Sequence, residues 1–241
     1  SPHPSLLIAI CSRAPPPITS SATYYFNRLQ IAKLLIGHGA DVNTTNGYGE
    51  SPLNTACQWG WLRIVQLLCS SDSIDLHSAH NLHRANPFHD ACSYGHLEIV
   101  KFLAPVVDIE QENKFGSTAL LLACLEEHPR IVAFLMQQKV RVDTQSTVGM
   151  SPMHAACNWG SAEITRLLLT VQPNLAHIAY PLNGDTPLHI ACRKGHFEVI
   201  ECLLTGGANP QSLNKSRMTP MHMLQLNQHA SNAPALVLGK L

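Results

Sequence analysis

Short apolar stretches separated by polar residues recur along the chain with a period of about 33 residues. In most periods a first apolar stretch follows Ser, Thr or Asn and ends close to Gly, as between Ser51 and Gly60, whereas one period has Glu127 in place of Gly. A second stretch follows with apolar residues at helical spacing, as at Ile64, Leu67 and Leu68. Ser, Thr or Asn before Pro is a favourable helix start, and Gly tolerates the left-handed conformation that often ends a helix. The pattern therefore predicts a repeated pair of short helices.

An Ala-Cys dipeptide marks the same position in five of these periods. Successive cysteines are separated by 35, 32, 33 and 35 residues, at Cys57, Cys92, Cys124, Cys157 and Cys192. One pair of short helices cannot bury the apolar faces of both helices, whereas stacked pairs share a continuous core. The sequence therefore predicts a stack of similar units rather than a globular domain with one central core.

Three segments carry the pattern in its clearest form. They are Thr-Pro-Leu-His-Ile-Ala at Thr186–Ala191, Gly-His-Leu-Glu-Ile-Val at Gly95–Val100 and Gly-Ala-Asp-Val-Asn at Gly39–Asn43. With these segments the chain resembles the ankyrin-repeat family, and the resemblance extends over essentially the whole sequence. It implies an all-α solenoid of stacked helix-turn-helix units joined by β-hairpin-like loops.

Seven units fit into one repeat domain covering residues 1–241. The first unit spans about 1–46 and contains a predicted insertion loop over 12–25, and the last unit, 215–241, is atypical. The intervening units are 47–82, 83–113, 114–146, 147–181 and 182–214. Atypical ends are expected because terminal repeats must face water, although a truncated chain would look the same.

Composition excludes several classes of partner. Only 13% of the residues are charged, and 16 basic side chains balance 16 acidic ones. Nucleic-acid binding and a polybasic membrane anchor both need a basic excess. No apolar run approaches the ~18 residues of a membrane-spanning helix. We therefore expect neither nucleic-acid binding nor membrane insertion by this segment, and an interface based on aromatic rather than charged side chains.

Histidine and cysteine three residues apart suggest metal ligands at first sight, because such positions share a helix face. They occur at His89 and Cys92, at His154 and Cys157, and at His189 and Cys192. The resemblance implies instead that this His hydrogen-bonds the hairpin backbone, and a free thiol suits a small buried position. The run His77, His80 and His83 contains no Cys or carboxylate. Since no reaction motif is present either, we expect no metal, no cofactor and no enzyme activity.

Variable positions at the end of each first helix are the candidate partner-binding residues. Ankyrin-repeat proteins typically bind through these positions and through the hairpin tips, and several here are Trp or Tyr, which are enriched in binding hot spots. The helix-end positions are Gln58, Trp59, Ser93, Tyr94, Leu125, Glu126, Asn158, Trp159, Arg193 and Lys194. The tip positions are Tyr48, Glu50, Phe115, Ser117, Met150 and Asp185.

Two alternatives stay open for the tryptophans. We expect Trp59 and Trp159 to contact a partner, and the alternative is that both rings only pack on the neighbouring hairpin. Trp61 replaces the His that follows Gly in other units, at His96 and His196, and could support either the fold or the binding surface.

The expected function is that of a protein-interaction module, a scaffold or adaptor in the cytoplasm or nucleus. The partner is a protein whose identity the sequence does not reveal. The alternative is a regulatory segment of a larger kinase, ubiquitin ligase or cation channel, and in either case we expect the segment to belong to a longer polypeptide.

Overall fold

A computed structural model describes residues 4–11, 21–76, 83–227 and 232–241. These residues form helices and no strand, which confirms the all-α fold class. The α-helices are, in chain order, α1 (Pro4–Cys11), α2 (Ser21–Gly37), α3 (Pro52–Gln58), α4 (Leu62–Cys69), α5 (Pro87–Ser93), α6 (Leu97–Leu103), α7 (Ala119–Leu125), α8 (Pro129–Gln137), α9 (Pro152–Trp159), α10 (Ala162–Val171), α11 (Pro187–Lys194), α12 (Phe197–Thr205), α13 (Pro220–Leu226) and α14 (Ala235–Leu238). A short 3₁₀ helix, Pro173–His177, follows α10.

The chain divides into two compact parts, Ser1–Lys114 and Phe115–Leu241, each of which contains several repeats. These two parts are called the first unit and the second unit, and each element of about 33 residues is called a repeat. In the first unit α1, α3 and α5 pack side by side as inner helices, and α2, α4 and α6 form an outer row against them. In the second unit α7, α9, α11 and α13 are the inner helices, and α8, α10, α12 and α14 form the outer row. Each helix pair therefore buries its apolar side on the next pair within its unit, as the repeat predicts.

The inner helices begin at capping side chains, as the sequence predicts. The oxygen of the capping residue accepts a hydrogen bond from the backbone N–H three residues further on, which satisfies one of the unpaired donors of the first turn. This bond is present at Ser51, Asn86, Thr118, Ser151 and Thr219. Pro is the first helical residue after all of these except Thr118, which precedes Ala119.

A left-handed residue lies after each of α3, α5, α7, α9 and α11 and turns the chain into the outer helix. Gly60 has a φ of 75°, and a Cβ there would lie 2.5 Å from Cε1 of His96, so glycine is required for both conformation and space. Glu127 takes the same conformation, with a φ of 56°, in the repeat 114–146, which has no Gly at this position. The repeat 114–146 therefore carries at this position a backbone strain that the repeats with Gly avoid.

Buried histidines connect successive repeats through hydrogen bonds. Nδ1 of His189 accepts the backbone N–H of Thr186, and its Nε2 lies 2.9 Å from the carbonyl oxygen of Met218 in the next loop. His89 and His154 make the same pair of bonds, with Nε2 2.9 Å from the oxygens of Gln111 and Ile178. Because Nδ1 accepts a hydrogen bond, the proton of the neutral ring is on Nε2, which donates to the carbonyl. The role that the resemblance implied for these histidines is present in the structure.

Tight loops with hairpin-like backbone bonds connect the pairs. The N–H of Ser146 donates to the carbonyl of Met150 over 2.9 Å, and that of Asn214 donates to Met218 over 3.1 Å. In the first unit the N–H of Asn46 donates to Glu50 over 3.0 Å. These loops place the tip residues beside the starts of the inner helices.

Two features of the ends differ from or add to the sequence expectation. α2 begins at Ser21, so residues 21–25 are helical and the predicted insertion loop over 12–25 is wrong for them. Residues 12–20 lie outside the described part of the chain, as do His77 and His80. At the other end Pro234 precedes the short helix α14, which packs on α12. The assignment of residues 1–241 to one domain stays a prediction.

Acidification should destabilise the fold through the buried histidines. Burial lowers the pKa of His89 to about 4, whereas an unfolded histidine titrates near 6.5. Between these values the unfolded chain binds more protons than the folded chain, so the free energy of unfolding decreases as the pH falls from about 6.5 to about 4. For His89 the loss is about 3 kcal/mol at most. The raised pKa of Asp90 acts in the opposite direction over the same range, so urea denaturation at pH 7 and pH 4 measures the His89 contribution as a difference between the wild type and a His89 variant.

His89→Asn is the matched control, because Asn54 already occupies the equivalent position of the preceding repeat. Asn54 accepts the N–H of Ser51 through Oδ1 and donates to the carbonyl of Ala85. The variant should lose less stability than the wild type between pH 7 and pH 4. Equal losses would show that His89 does not contribute to the acid sensitivity.

Candidate functional site

The candidate helix-end residues lie where the inner helices finish, just before the left-handed residue. Gln58 ends α3, and Trp59 follows it as the C-terminal cap, with Ser93 and Tyr94 in the same relation at the end of α5. In the second unit Leu125 ends α7, Trp159 ends α9, and Arg193 and Lys194 are the last residues of α11. The repeat thus places these side chains at one end of each inner helix, unit by unit.

Tyr94 and Gln58 form a polar contact across the first unit. The Nε2 of Gln58 donates to the Tyr94 hydroxyl over 2.8 Å, and the ring of Tyr94 is 52% exposed. Trp59 and Ser93 are half-buried. The hydroxyl of Tyr94 is therefore held in place while its ring stays open to solvent, an arrangement suited to partner contact.

Asp90 adds a carboxylate to this surface that the sequence analysis did not predict. It lies one helical turn before Tyr94 on α5, and its Oδ2 accepts a hydrogen bond of 2.7 Å from Nδ2 of Asn54. Burial raises the pKa of Asp90 to about 7, the bond from Asn54 opposes this, and the negative charge of Glu50 adds to the increase. An acidic residue directly after the bridging position His89 was the signal available in the sequence.

The second unit presents a different set of side chains. Trp159 is 53% exposed, and Glu126 and Lys194 are also exposed. Leu125 and Asn158 are half-buried, and the carbonyl of Asn158 accepts a hydrogen bond of 3.2 Å from Nε2 of His196. The open ring of Trp159 is therefore available at the end of α9.

Asp185 is buried, so the expectation that it extends the exposed tip surface is wrong. Only 1% of the residue is exposed, and its Oδ2 forms an ion pair with Nη1 of Arg193. Asn214 and Asn183 donate further hydrogen bonds of 2.8 Å to its two oxygens. Arg193 is half-buried by the same contact. The pair holds the tip against the end of α11 instead of offering two free charges.

The remaining tip residues differ in exposure. Tyr48 is 66% exposed and Phe115 is 46% exposed, whereas Glu50 and Met150 are half-buried. Ser117 is buried, so it does not extend the surface as expected. Tyr48 in the first unit and Phe115 in the second are thus the tip rings that a partner could reach.

Trp61 supports the fold. It is 3% exposed, and the guanidinium carbon of Arg28 lies 4.9 Å from the centre of its ring. Arg28 in turn donates to the carbonyl of Ile10 near the end of α1. His96 makes the equivalent bond in the next repeat, with Nε2 2.9 Å from the carbonyl of Gln58. Arg28 on Trp61 therefore replaces the histidine that bonds the end of the preceding inner helix.

The cysteines lie at packing positions. All eight thiols are free, and the five at the repeat position are fully buried. Burial raises the pKa of Cys192 to about 12 and that of the half-buried Cys69 to about 11, so these side chains stay protonated at neutral pH. A protonated thiol is a weak nucleophile and a poor metal ligand. Within the described ranges no three His, Cys, Asp or Glu side chains converge on a metal site.

Within the described residues, no helix has the length and apolar character needed to cross a membrane.

Comparison with known proteins gives matches over most of the chain. A family model described as ankyrin repeats in three copies matches residues 20–111 and 88–178, and one for a single ankyrin repeat matches residues 183–215. The chain is 31% identical over 145 residues to the nuclear factor NF-kappa-B p105 subunit of Gallus gallus, a match that covers 58% of this chain and 14% of that protein. It is 30% identical over 137 residues to inversin of Canis lupus familiaris, covering 55% and 12%.

A third match, to protein fem-1 homolog A-like of Mus musculus, is 30% identical over 73 residues and covers 30% of this chain and 11% of that protein. The chain therefore spans only a small part of the length of each of these relatives.

Replacing each of two tryptophans should separate a core ring from a surface ring. Trp61→Ala removes a buried ring and should lower the free energy of unfolding by about 3–5 kcal/mol. Trp159→Ala removes a ring that is half exposed and should cost less than about 1 kcal/mol. Urea denaturation of the two variants measures the difference. A large loss with Trp159→Ala would assign that ring to packing.

Proposed function

This chain belongs to the ankyrin-repeat family, and from that premise we propose that it is a scaffold or adaptor that holds a partner protein on its inner-helix ends and hairpin tips. Ankyrin repeats are non-catalytic protein-interaction modules. The proposal goes further than the family does, because it assigns the contact to particular side chains of this chain.

Exposed aromatic rings at the inner-helix ends are the observation that carries the proposal. Tyr94 and Trp159 each leave about half of the residue open, at 52% and 53%, although most residues of α5 and α9 are buried. Large rings with a polar group contribute strongly when a partner covers them. A helix end needs no such residue for its own stability, since small polar residues satisfy it.

Each unit offers its own anchors. In the first unit the hydroxyl of Tyr94 is bonded by Gln58, the residue before Trp59, and Tyr48 is exposed at a tip. In the second unit the anchors are Trp159 and Phe115, with the charge of Lys194 exposed at the end of α11. Binding energy would come from burial of these rings and from polar contacts around them.

A second candidate is a regulatory segment within a larger enzyme or channel, and the lengths of the relatives support the part of it that places this segment in a longer polypeptide. Each of the relatives named above extends well beyond the matched part, since the match covers 11–14% of its length. We infer that this segment likewise serves a longer polypeptide. The sequence of the flanking chain would distinguish an adaptor from a kinase, ubiquitin ligase or channel. The eight free thiols fit a reducing compartment, which is our reason for placing the protein in the cytoplasm or nucleus.

Removal of the first unit's rings should abolish partner capture without loss of the fold. Tagged wild type and the double variant Trp59→Ala with Tyr94→Ala would be incubated with cell lysate in parallel, and bound proteins identified. A protein that the wild type retains should be lost with the double variant, while circular dichroism and the melting temperature stay near the wild type.

Phe102→Ala provides the control, because Phe102 is an aromatic residue of the outer helix α6 with 37% exposure. It should retain the partner. Equal capture by the double variant and the wild type would remove Trp59 and Tyr94 from the interface, and collapse of the fold would assign them to the core.

A further inference from the structure

Two repeats, one in the first unit and one in the second, carry an acidic residue immediately before the capping residue of the inner helix. They are Glu50, before Ser51, and Asp185, before Thr186, whereas the corresponding residues elsewhere are Ala85, Ser117, Met150 and Met218. In the second unit the carboxylate of Asp185 is neutralised by Arg193, eight residues further on. In the first unit the residue eight positions after Glu50 is Gln58, which has no charge and is turned to Tyr94.

The first unit therefore lacks the internal arginine that its counterpart contains. Glu50 accepts a hydrogen bond of 2.8 Å from Nδ2 of Asn46, and Asp90 accepts one of 2.7 Å from Asn54. Among the residues that the structure describes, neither carboxylate forms an ion pair. Both side chains are half-buried, so water screens their charges only in part. This pair, Glu50 and Asp90, is the acidic patch.

The surroundings of the acidic patch suit a guanidinium group. Tyr94 follows Asp90 by one helical turn, and its exposed ring offers a face on which a planar cation can stack. Two carboxylates provide acceptors for the several N–H groups of arginine. Lysine, with a compact and strongly hydrated ammonium, gains less from both features.

We propose that the acidic patch receives an arginine side chain of the partner protein. The proposal rests on the proposed function and identifies the chemistry of one contact in it. The partner's arginine takes the place in the first unit that Arg193 holds in the second. The ion pair of Arg193 with Asp185 is thus an internal copy of the contact that the partner makes.

Titration with acetyl-arginine methylamide tests this without knowledge of the partner. The full 241-residue chain, labelled with ¹⁵N, would be titrated at low salt and pH 8, and amide shifts followed by NMR. We expect saturable shifts at Glu50, Asp90 and Tyr94. Acetyl-lysine methylamide, which has the same charge, should bind several-fold more weakly. Glu50→Gln keeps the acceptor for Asn46 and should weaken arginine binding about tenfold.

Tyr94→Ala is the second variant, because it alters an exposed ring and leaves both carboxylates. It should reduce the preference for arginine over lysine. No saturable shift at the acidic patch, equal binding of the two probes, or unchanged affinity in Glu50→Gln would overturn the proposal. Partner capture by the wild type could persist in each of these cases, so the proposed function and this contact can fail separately.

Arg193→Gln gives the reciprocal test in the second unit, because it copies the arrangement of Glu50 and Gln58. Removal of the arginine exposes the need of Asp185 for a cation. Acetyl-arginine methylamide should therefore raise the melting temperature of Arg193→Gln more than that of the wild type. Equal increases in the two proteins would contradict the use of the Arg193 pair as a copy of the partner contact.

Discussion

The stacking of the inner helices depends on a neutral imidazole that hydrogen-bonds the backbone of two successive repeats. Nδ1 of His189 closes the start of its own helix, and Nε2 donates to the loop before the next helix. One side chain thus pairs the backbone N–H of Thr186 and adds a second hydrogen bond to the carbonyl of Met218, which also accepts the N–H of Asn214. Since the ring has a fixed size, the start of one helix determines the distance to the next loop. The bond requires the neutral ring, and burial lowers the pKa of His154 and His189 in the direction that keeps it so.

Other side chains can meet the same backbone requirement, and the exceptions show which part of the pattern is physical. Asn54 performs the bridging with an amide, through Ser51 on one side and Ala85 on the other. Arg28, which lies over the ring of Trp61, donates a hydrogen bond to the end of α1. In the next repeat His96 makes the equivalent bond to the end of α3. The backbone groups must be paired in every unit, whereas the chemical group that pairs them can change. A substitution in the repeat is therefore informative only when its contacts are known.

This distinction explains how much the sequence predicts. Caps, first-turn prolines and left-handed glycines depend on residues within a few positions, so Ser51 and Gly60 are assigned correctly from local pattern alone. The burial of Asp185 depends on Arg193 and on Asn214, 29 residues away, and local pattern gave it the wrong exposure. Trp61 is similar, because its role follows from its contact with Arg28, 33 residues earlier in the chain. The start of α2 at Ser21 was missed since no periodic signal precedes it.

The low charge of the chain makes its buried carboxylates more significant. The sequence analysis expected an interface without charge, because only 13% of the residues are charged. In a chain with few charges, a carboxylate that is half-buried without an ion pair is costly to the folded protein. Asp185 avoids this cost through Arg193, whereas within the described part of the chain Glu50 and Asp90 receive hydrogen bonds from Asn46 and Asn54 and no ion pair. The two repeats share a backbone pattern, so the difference lies in two side chains, Gln58 in place of Arg193 and Asp90 in place of Met223. Aromatic rings can supply binding energy in either unit, but this difference in charge would let a partner distinguish the first unit from the second.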